Sequence, residues 1–225
     1  MAEIALALAA TFIVLLAIVA AVTPVVDRHR RRTLRRCVAD VCEVLNAHGV
    51  DYWCDFGTLL GYHREGDVIL SDKDADLCAM ADDKPRILGL AGAFKAKGYT
   101  VTDKGGASRR VLRVLDDRTM YYVDIYPYVR EGAMLRSTLI ATEDVPERLV
   151  TPRRKVPFLG AQVSVPEDVP ALLLHRYGPT YMTPRRGDKG ATRPFSLLRA
   201  RYEDLEDNCV GLYSLLKANV LRRAG

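Results

Sequence analysis

Residues 52–77 read YWCDFGTLLGYHREGDVILSDKDADL. Residues 52–55 form a short apolar run of strand character. Gly57 then turns the chain, and residues 58–63 begin a helix. Residues 74–80 predict a second strand with Asp76 inside it. Asp74 and Asp76 are two apart, so on an extended segment their side chains project the same way. Paired carboxylates repel, and a divalent cation relieves that repulsion. An all-oxygen donor set suits Mg2+ or Mn2+ bound jointly with substrate phosphates. Glycine lets backbone N–H groups approach a ligand, and a helix N-terminus favours phosphate. An ordinary strand-to-helix turn and an acidic surface loop are the plainer alternatives. A calcium loop of the EF-hand kind is excluded: Leu77 stands where that loop needs glycine, and Asp83 where it needs glutamate.

Working outward, Leu34, Val38, Val41, Cys42 and Leu45 fall at helical spacing, and Gly49 is a natural stop. Asp82, Asp83 and Pro85 open a helix expected to reach Lys97. Three strands follow over 99–102, 109–115 and 120–126, with Asp116-Asp117 as a turn between the last two. A short strand is expected at 161–165. Pro166, Glu167 and Asp168 open a helix to Tyr177, and a final helix covers 197–221. Early helix–strand alternation followed by adjacent strands gives an α+β fold, a mixed β-sheet flanked by helices. Residues 122–128, YVDIYPY, place one aspartate, Asp124, in an apolar strand. A buried carboxylate without a partner is costly, so Asp124 has either a structural ion pair or a chemical task. A glycine turn, two carboxylates and a third on a neighbouring strand make a coherent phosphoryl-transfer site.

The chain has 225 residues and a formal charge of +5, concentrated in Arg28, Arg30, Arg31, Arg32, Arg35 and Arg36. The rest is close to neutral, so no nucleic-acid partner is expected. Residues 4–26 are almost wholly apolar, about 23 residues, long enough to span a bilayer. A single transmembrane helix over residues 1–27 is therefore expected. A basic juxtamembrane linker over 28–36 and a catalytic domain over 37–225 would follow it. The basic flank would hold that domain on the cytoplasmic side, with a lumenal, Golgi-type placement as the alternative. Five cysteines without a CxxC pair suggest neither a disulfide framework nor zinc, and Cys42, Cys54 and Cys78 read as small buried hydrophobes. The clusters Arg109, Arg110, Arg113 and Arg153, Arg154, Lys155 fit either an anionic ligand or a solvated face. His175 reads as a helix C-terminal residue rather than a base.

The stretch 52–77 resembles the signature of the LicD/fukutin family: an aspartate, an aromatic, Gly-Thr-Leu-Leu-Gly, an arginine and an acidic cluster. YVDIYPY resembles that family's later strand. Residues 156–184, VPFLGAQVSVPEDVPALLLHRYGPTYMTP, resemble its closing segment. The resemblance implies a nucleotidyltransferase-type fold. It also implies metal-dependent transfer of a phospho-alcohol group, of the phosphocholine or ribitol-phosphate type, from a CDP-linked donor to a glycan or glycolipid. Nucleotidyl transfer from an NTP and a degenerate scaffold are the alternatives. Carried over, Gly57 and Thr58 meet donor phosphates, and Asp55 and Arg64 are further substrate-binding positions. Asp74, Asp76 and Asp124 form the catalytic metal site. The family's usual tryptophan and its second acidic residue are Ser71 and Lys73 here, with Lys73 expected to point away from Asp72 and Asp74.

Overall fold

The computed structural model describes residues 2–70, 72–106, 109–139, 141–184, 211–214, 216, 217 and 220. The chain divides into two compact units: Met1–Arg30 with Thr192–Gly225, and Arg31–Ala191. In the first unit His29 Nε2 lies 3.1 Å from Ser214 Oγ, and Arg30 pairs with Asp27 at 2.7 Å. Residues 211–214 are helical, while most of the helix expected over 197–221 lies outside the described residues.

The membrane expectation does not hold. Residues 4–26 belong to helix α1 (Ala2–Ala47), a single element of 46 residues. Among the described residues no helix is long and apolar enough to cross a membrane. The single-pass assignment therefore falls, and with it the cytoplasmic or lumenal orientation read from its flank. The arginines of that flank have protein partners. Arg31 lies 2.8 Å from Asp67 and 3.7 Å from Glu65. Arg35 donates to Asp67 at 2.6 Å, and Arg36 pairs with the fully buried Asp116. Carboxylates of the second unit balance this part of the run.

Within the second unit, α1 ends in a turn at Gly49, whose φ is +62°. Strand β1 (Tyr52–Cys54), helix α2 (Phe56–Glu65) and strand β2 (Asp74–Met80) follow. The expected helix to Lys97 is broken into α3 (Lys84–Gly89) and α4 (Ala91–Ala96). Gly89 and Gly92 flank the break at Leu90, and glycine is a poor helix former. Strands β3 (Tyr99–Gly106), β4 (Arg109–Asp116) and β5 (Tyr122–Glu131) are each longer than predicted. β6 (Met134–Ser137), β7 (Val145–Pro146) and β8 (Arg153–Phe158) were not predicted; β9 (Ala161–Pro166) and α5 (Val169–Tyr177) were.

The main sheet runs β1-β2-β5-β4-β3, with β6 joining β5 and β7 joining β6. β2 and β5 are parallel, whereas β1–β2, β4–β5 and β3–β4 are antiparallel, so the sheet is mixed as expected. Alternation sorts its residues. Ala75, Leu77 and Ala79 of β2, Val123 and Ile125 of β5, and Leu112 and Val114 of β4 are all buried. They join Val38, Val41, Cys42 and Leu45 of α1 in one continuous core. The residues between them face the other way and include Asp74, Asp76, Tyr122, Asp124 and Arg113. Cys37, Cys42, Cys54 and Cys78 are free and buried, as small apolar residues would be.

Candidate active site

The site begins at the β1–α2 turn. Asp55 caps α2 by accepting the Phe56 N–H at 2.8 Å. Phe56 has φ +47°, a conformation uncommon for a bulky residue. Tyr126 packs on its ring at 5.2 Å and the Arg176 guanidinium lies over it at 4.5 Å. Asp55 itself is completely buried and accepts from Arg176 at 3.0 and 2.6 Å and from Trp53 Nε1 at 3.2 Å. Expected among the substrate-binding residues, it is placed with both oxygens engaged by protein donors, which tie the turn to α5 and β1.

The turn delivers Gly57 against the acidic strand. A Cβ at Gly57 would lie 2.6 Å from Asp72 Oδ2 and 3.6 Å from Asp76 Oδ2. Asp72, outside the expected set of Asp74, Asp76 and Asp124, thus lies in the same cluster. Thr58 Oγ1 accepts the Asp76 N–H at 2.7 Å, so its side chain ties α2 to β2. Its backbone N–H, like that of Gly57, lies in the first helical turn and has no intrahelical acceptor. Arg64 is not brought to this place. It sits seven residues further along α2, about 10 Å by helical rise, and pairs with Glu65 at 2.7 Å. Lys73 is exposed, whereas Asp72, Asp74 and Asp76 are half-buried.

Asp76 and Asp124 stand directly opposite on the parallel strands β2 and β5, and Asp74 is opposite Tyr122. The three predicted carboxylates therefore share one face of the sheet. Burial, followed by the charges of Asp74, Asp72, Asp124 and Asp55, pushes the Asp76 carboxyl well above its ordinary value. Burial and then the Asp74 charge push Tyr122 up to about 12. Burial and Asp76 likewise raise Tyr126 and Tyr177, keeping both phenols neutral at ordinary pH. Asp124 is held by Arg113, which donates Nε at 2.8 Å and Nη2 at 2.7 Å and lies over the Tyr122 ring at 3.5 Å. Among the described residues no three His, Cys, Asp or Glu side chains are gathered so as to hold a metal ion. The donor chemistry fits Mg2+ or Mn2+ at the pair level: Asp74 and Asp76 carry carboxylate oxygens whose mutual repulsion a cation would relieve. Asp124, committed to Arg113, is not free to complete the set as it stands.

A cleft of 160 Å³ opens beside Phe56, lined by Thr142, Glu143, His175, Arg176 and Tyr177. Arg113 was weighed only within a basic cluster, and Arg176 and the tyrosines were given no role. The turn at residues 116–121 holds the missing signal. Counting outward equally along β4 and β5 brings Arg113 opposite Asp124. The other basic cluster serves the core: Arg153 lies 5.2 Å from the Trp53 ring and Lys155 4.3 Å from the Tyr52 ring.

Residues 49–168 match the family model described as LicD/FKTN/FKRP, nucleotidyltransferase domain, more than half of the chain. The chain belongs to this family. It is 34% identical over 158 residues to the ribitol 5-phosphate transferase FKRP of Mus musculus and, equally, of Homo sapiens. Those matches cover 66% of this chain but 32% of either relative, so the chain spans about a third of their length. A crystal structure of ANT(2")-Ia in complex with adenylyl-2"-tobramycin has a TM-score of 0.47 at 15% identity. It covers 85% of this chain and 96% of that one. The family assignment rests on the domain match and not on this likeness.

Proposed function

We propose that this LicD-family chain is a metal-dependent transferase of a phospho-alcohol group, of the ribitol-phosphate or phosphocholine type. The donor is CDP-linked and the acceptor is a hydroxyl of a glycan or glycolipid. One observation carries this reading: Asp74, Asp76 and Asp124 share a sheet face beside Gly57 at the start of α2. The name of the FKRP relatives supports the kind of group transferred.

In this mechanism the first-turn N–H groups of Gly57 and Thr58 hold the donor phosphates, aided by the positive end of the α2 dipole. Asp74 and Asp76 would hold Mg2+ or Mn2+, which when bound neutralises phosphate charge. The acceptor oxygen attacks the alcohol-bearing phosphorus, a new P–O bond forms, and the P–O bond to CMP breaks. The hydroxyl proton passes to a carboxylate, with Asp124 placed to receive it once Arg113 releases it. Positioning and charge neutralisation supply most of the rate.

The test is incubation of the full chain with CDP-ribitol, CDP-choline and related CDP-alcohols in Mg2+ or Mn2+, with CMP release followed by chromatography. Release of CMP together with transfer of the labelled alcohol phosphate is expected. Transfer of labelled cytidylate instead would assign nucleotidyl transfer. Silence across CDP-, UDP- and GDP-linked donors would leave a scaffold.

A further inference from the structure

Four side chains stand directly opposite one another across four strands: Asp76 on β2, Asp124 on β5, Arg113 on β4 and Thr102 on β3. Opposed residues on adjacent strands share a face and lie within contact of their neighbours. The row therefore changes character along its length, from two carboxylates to a guanidinium to a hydroxyl. Asp124 engages Nε and Nη2 of Arg113, and Nη1 has no acceptor among the described residues. The arginine side chain is 26% exposed. Thr102 Oγ1 is buried and has no hydrogen-bond partner among the described residues. A buried hydroxyl in that state is costly, and an incoming acceptor oxygen removes the cost. A guanidinium edge on one strand and an unsatisfied hydroxyl opposite it on the next fit a phosphate group.

We propose that Arg113 and Thr102 form a phosphate-binding subsite for a nucleoside diphosphate donor, at the far end of the row from the metal-binding pair. The subsite rests on the transferase reading above. It adds that Arg113 is shared: before the donor binds, the guanidinium neutralises Asp124, and the donor phosphate then competes for it. Phosphate recognition and the release of Asp124 become one event.

Titration calorimetry on the full chain in Mg2+, with CDP and with cytidine as probes, tests the subsite. The unaltered chain should bind CDP more tightly than cytidine. Thr102→Val should lose roughly three- to tenfold of CDP affinity, and Arg113→Lys about tenfold or more, since lysine keeps the charge but not the fork. Thr102→Ser should restore the parent value. Cytidine affinity should be the same in all four proteins, which shows that each is folded. CDP preferred over cytidine by the same ratio in Thr102→Val as in the parent overturns the subsite and leaves the transferase reading standing. CDP bound no better than cytidine by the parent also overturns it. Binding of neither probe by the parent overturns the donor assignment and the subsite together.

Discussion

Arg176→Met removes the only cation that is hydrogen-bonded to the Asp55 carboxylate among the described residues. Arg176 donates to both Asp55 oxygens at 3.0 and 2.6 Å, to the Glu143 carbonyl, and to Tyr128 Oη at 3.2 Å. The Arg176 and Asp55 side chains are 5% and 0% exposed, so water cannot take over these bonds. Among the described residues, what remains to Asp55 is the Phe56 N–H, the Trp53 indole and a long contact from the Cys78 thiol at 3.9 Å. Breaking a buried pair by deleting one partner costs about 3–5 kcal/mol. That is a large part of a stability of about 5–15 kcal/mol, and corresponds to a fall in Tm of roughly 6–20 °C at this size. Urea unfolding followed by the fluorescence of Trp53, the only tryptophan, reads the same place. Replacing both partners, Asp55→Asn with Arg176→Met, removes the stranded charge as well. The double variant should be less destabilised than the sum of the singles by more than about 1 kcal/mol. An Arg176→Met chain within about 1 kcal/mol of the parent would refute the pairing.

Three further outcomes are expected. Gly57→Ala pushes a methyl group to within 2.6 Å of Asp72 Oδ2, a side-chain end that can yield. Thermal stability should fall by no more than about 1 kcal/mol, while CMP release should drop at least about tenfold, roughly 1.4 kcal/mol. For Asp67, burial raises the carboxyl, but the Arg35 hydrogen bond, the Val68 N–H and the charges of Arg31 and Arg35 outweigh it, leaving the folded value below 3.8. A depressed carboxyl contributes stability that is present above the unfolded value and lost as pH falls through the folded one. Unfolding curves between pH 5 and 2 should therefore show a shallower acid limb in Asp67→Asn than in the parent, and equal limbs would contradict the pairing. Mn2+ at about 100 times its Kd should stabilise the parent by about 2.7 kcal/mol, reversibly with EDTA, and should leave the Tm of Asp76→Asn unmoved.

The chemistry-bearing strand was legible because its signals are local. Asp74, Asp76 and Asp124 interrupt apolar runs at strand spacing, and β2 was bounded correctly at Asp74–Met80. Partners far apart in sequence were not legible. Asp55 and Arg176 are 121 positions apart, and nothing local marks them as one buried pair. β8 was hidden by its own composition. Arg153 and Lys155 look like a solvated charge run, yet both lie over the rings of Trp53 and Tyr52, their long side chains covering the apolar interior. The arginines of α1 misled for the opposite reason. Next to an apolar stretch they look like a membrane flank, but Arg31, Arg35 and Arg36 find their counter-charges on Asp67 and Asp116. Arg113 lay in between, since hairpin counting from the 116–121 turn reaches Asp124, but only once β4 and β5 are taken as paired neighbours.

On the proposed function, the carboxylates beside Gly57 hold the cation at which phospho-alcohol transfer takes place. Asp76→Asn keeps the shape of the side chain and removes its charge. The decisive measurement is the initial rate of Mn2+-dependent CMP release from a CDP-alcohol by the parent and by this variant, with unfolding curves alongside. The variant should remain folded and lose at least about 100-fold in rate, roughly 3 kcal/mol of transition-state stabilisation. A folded Asp76→Asn chain as active as the parent would contradict the assignment of the site.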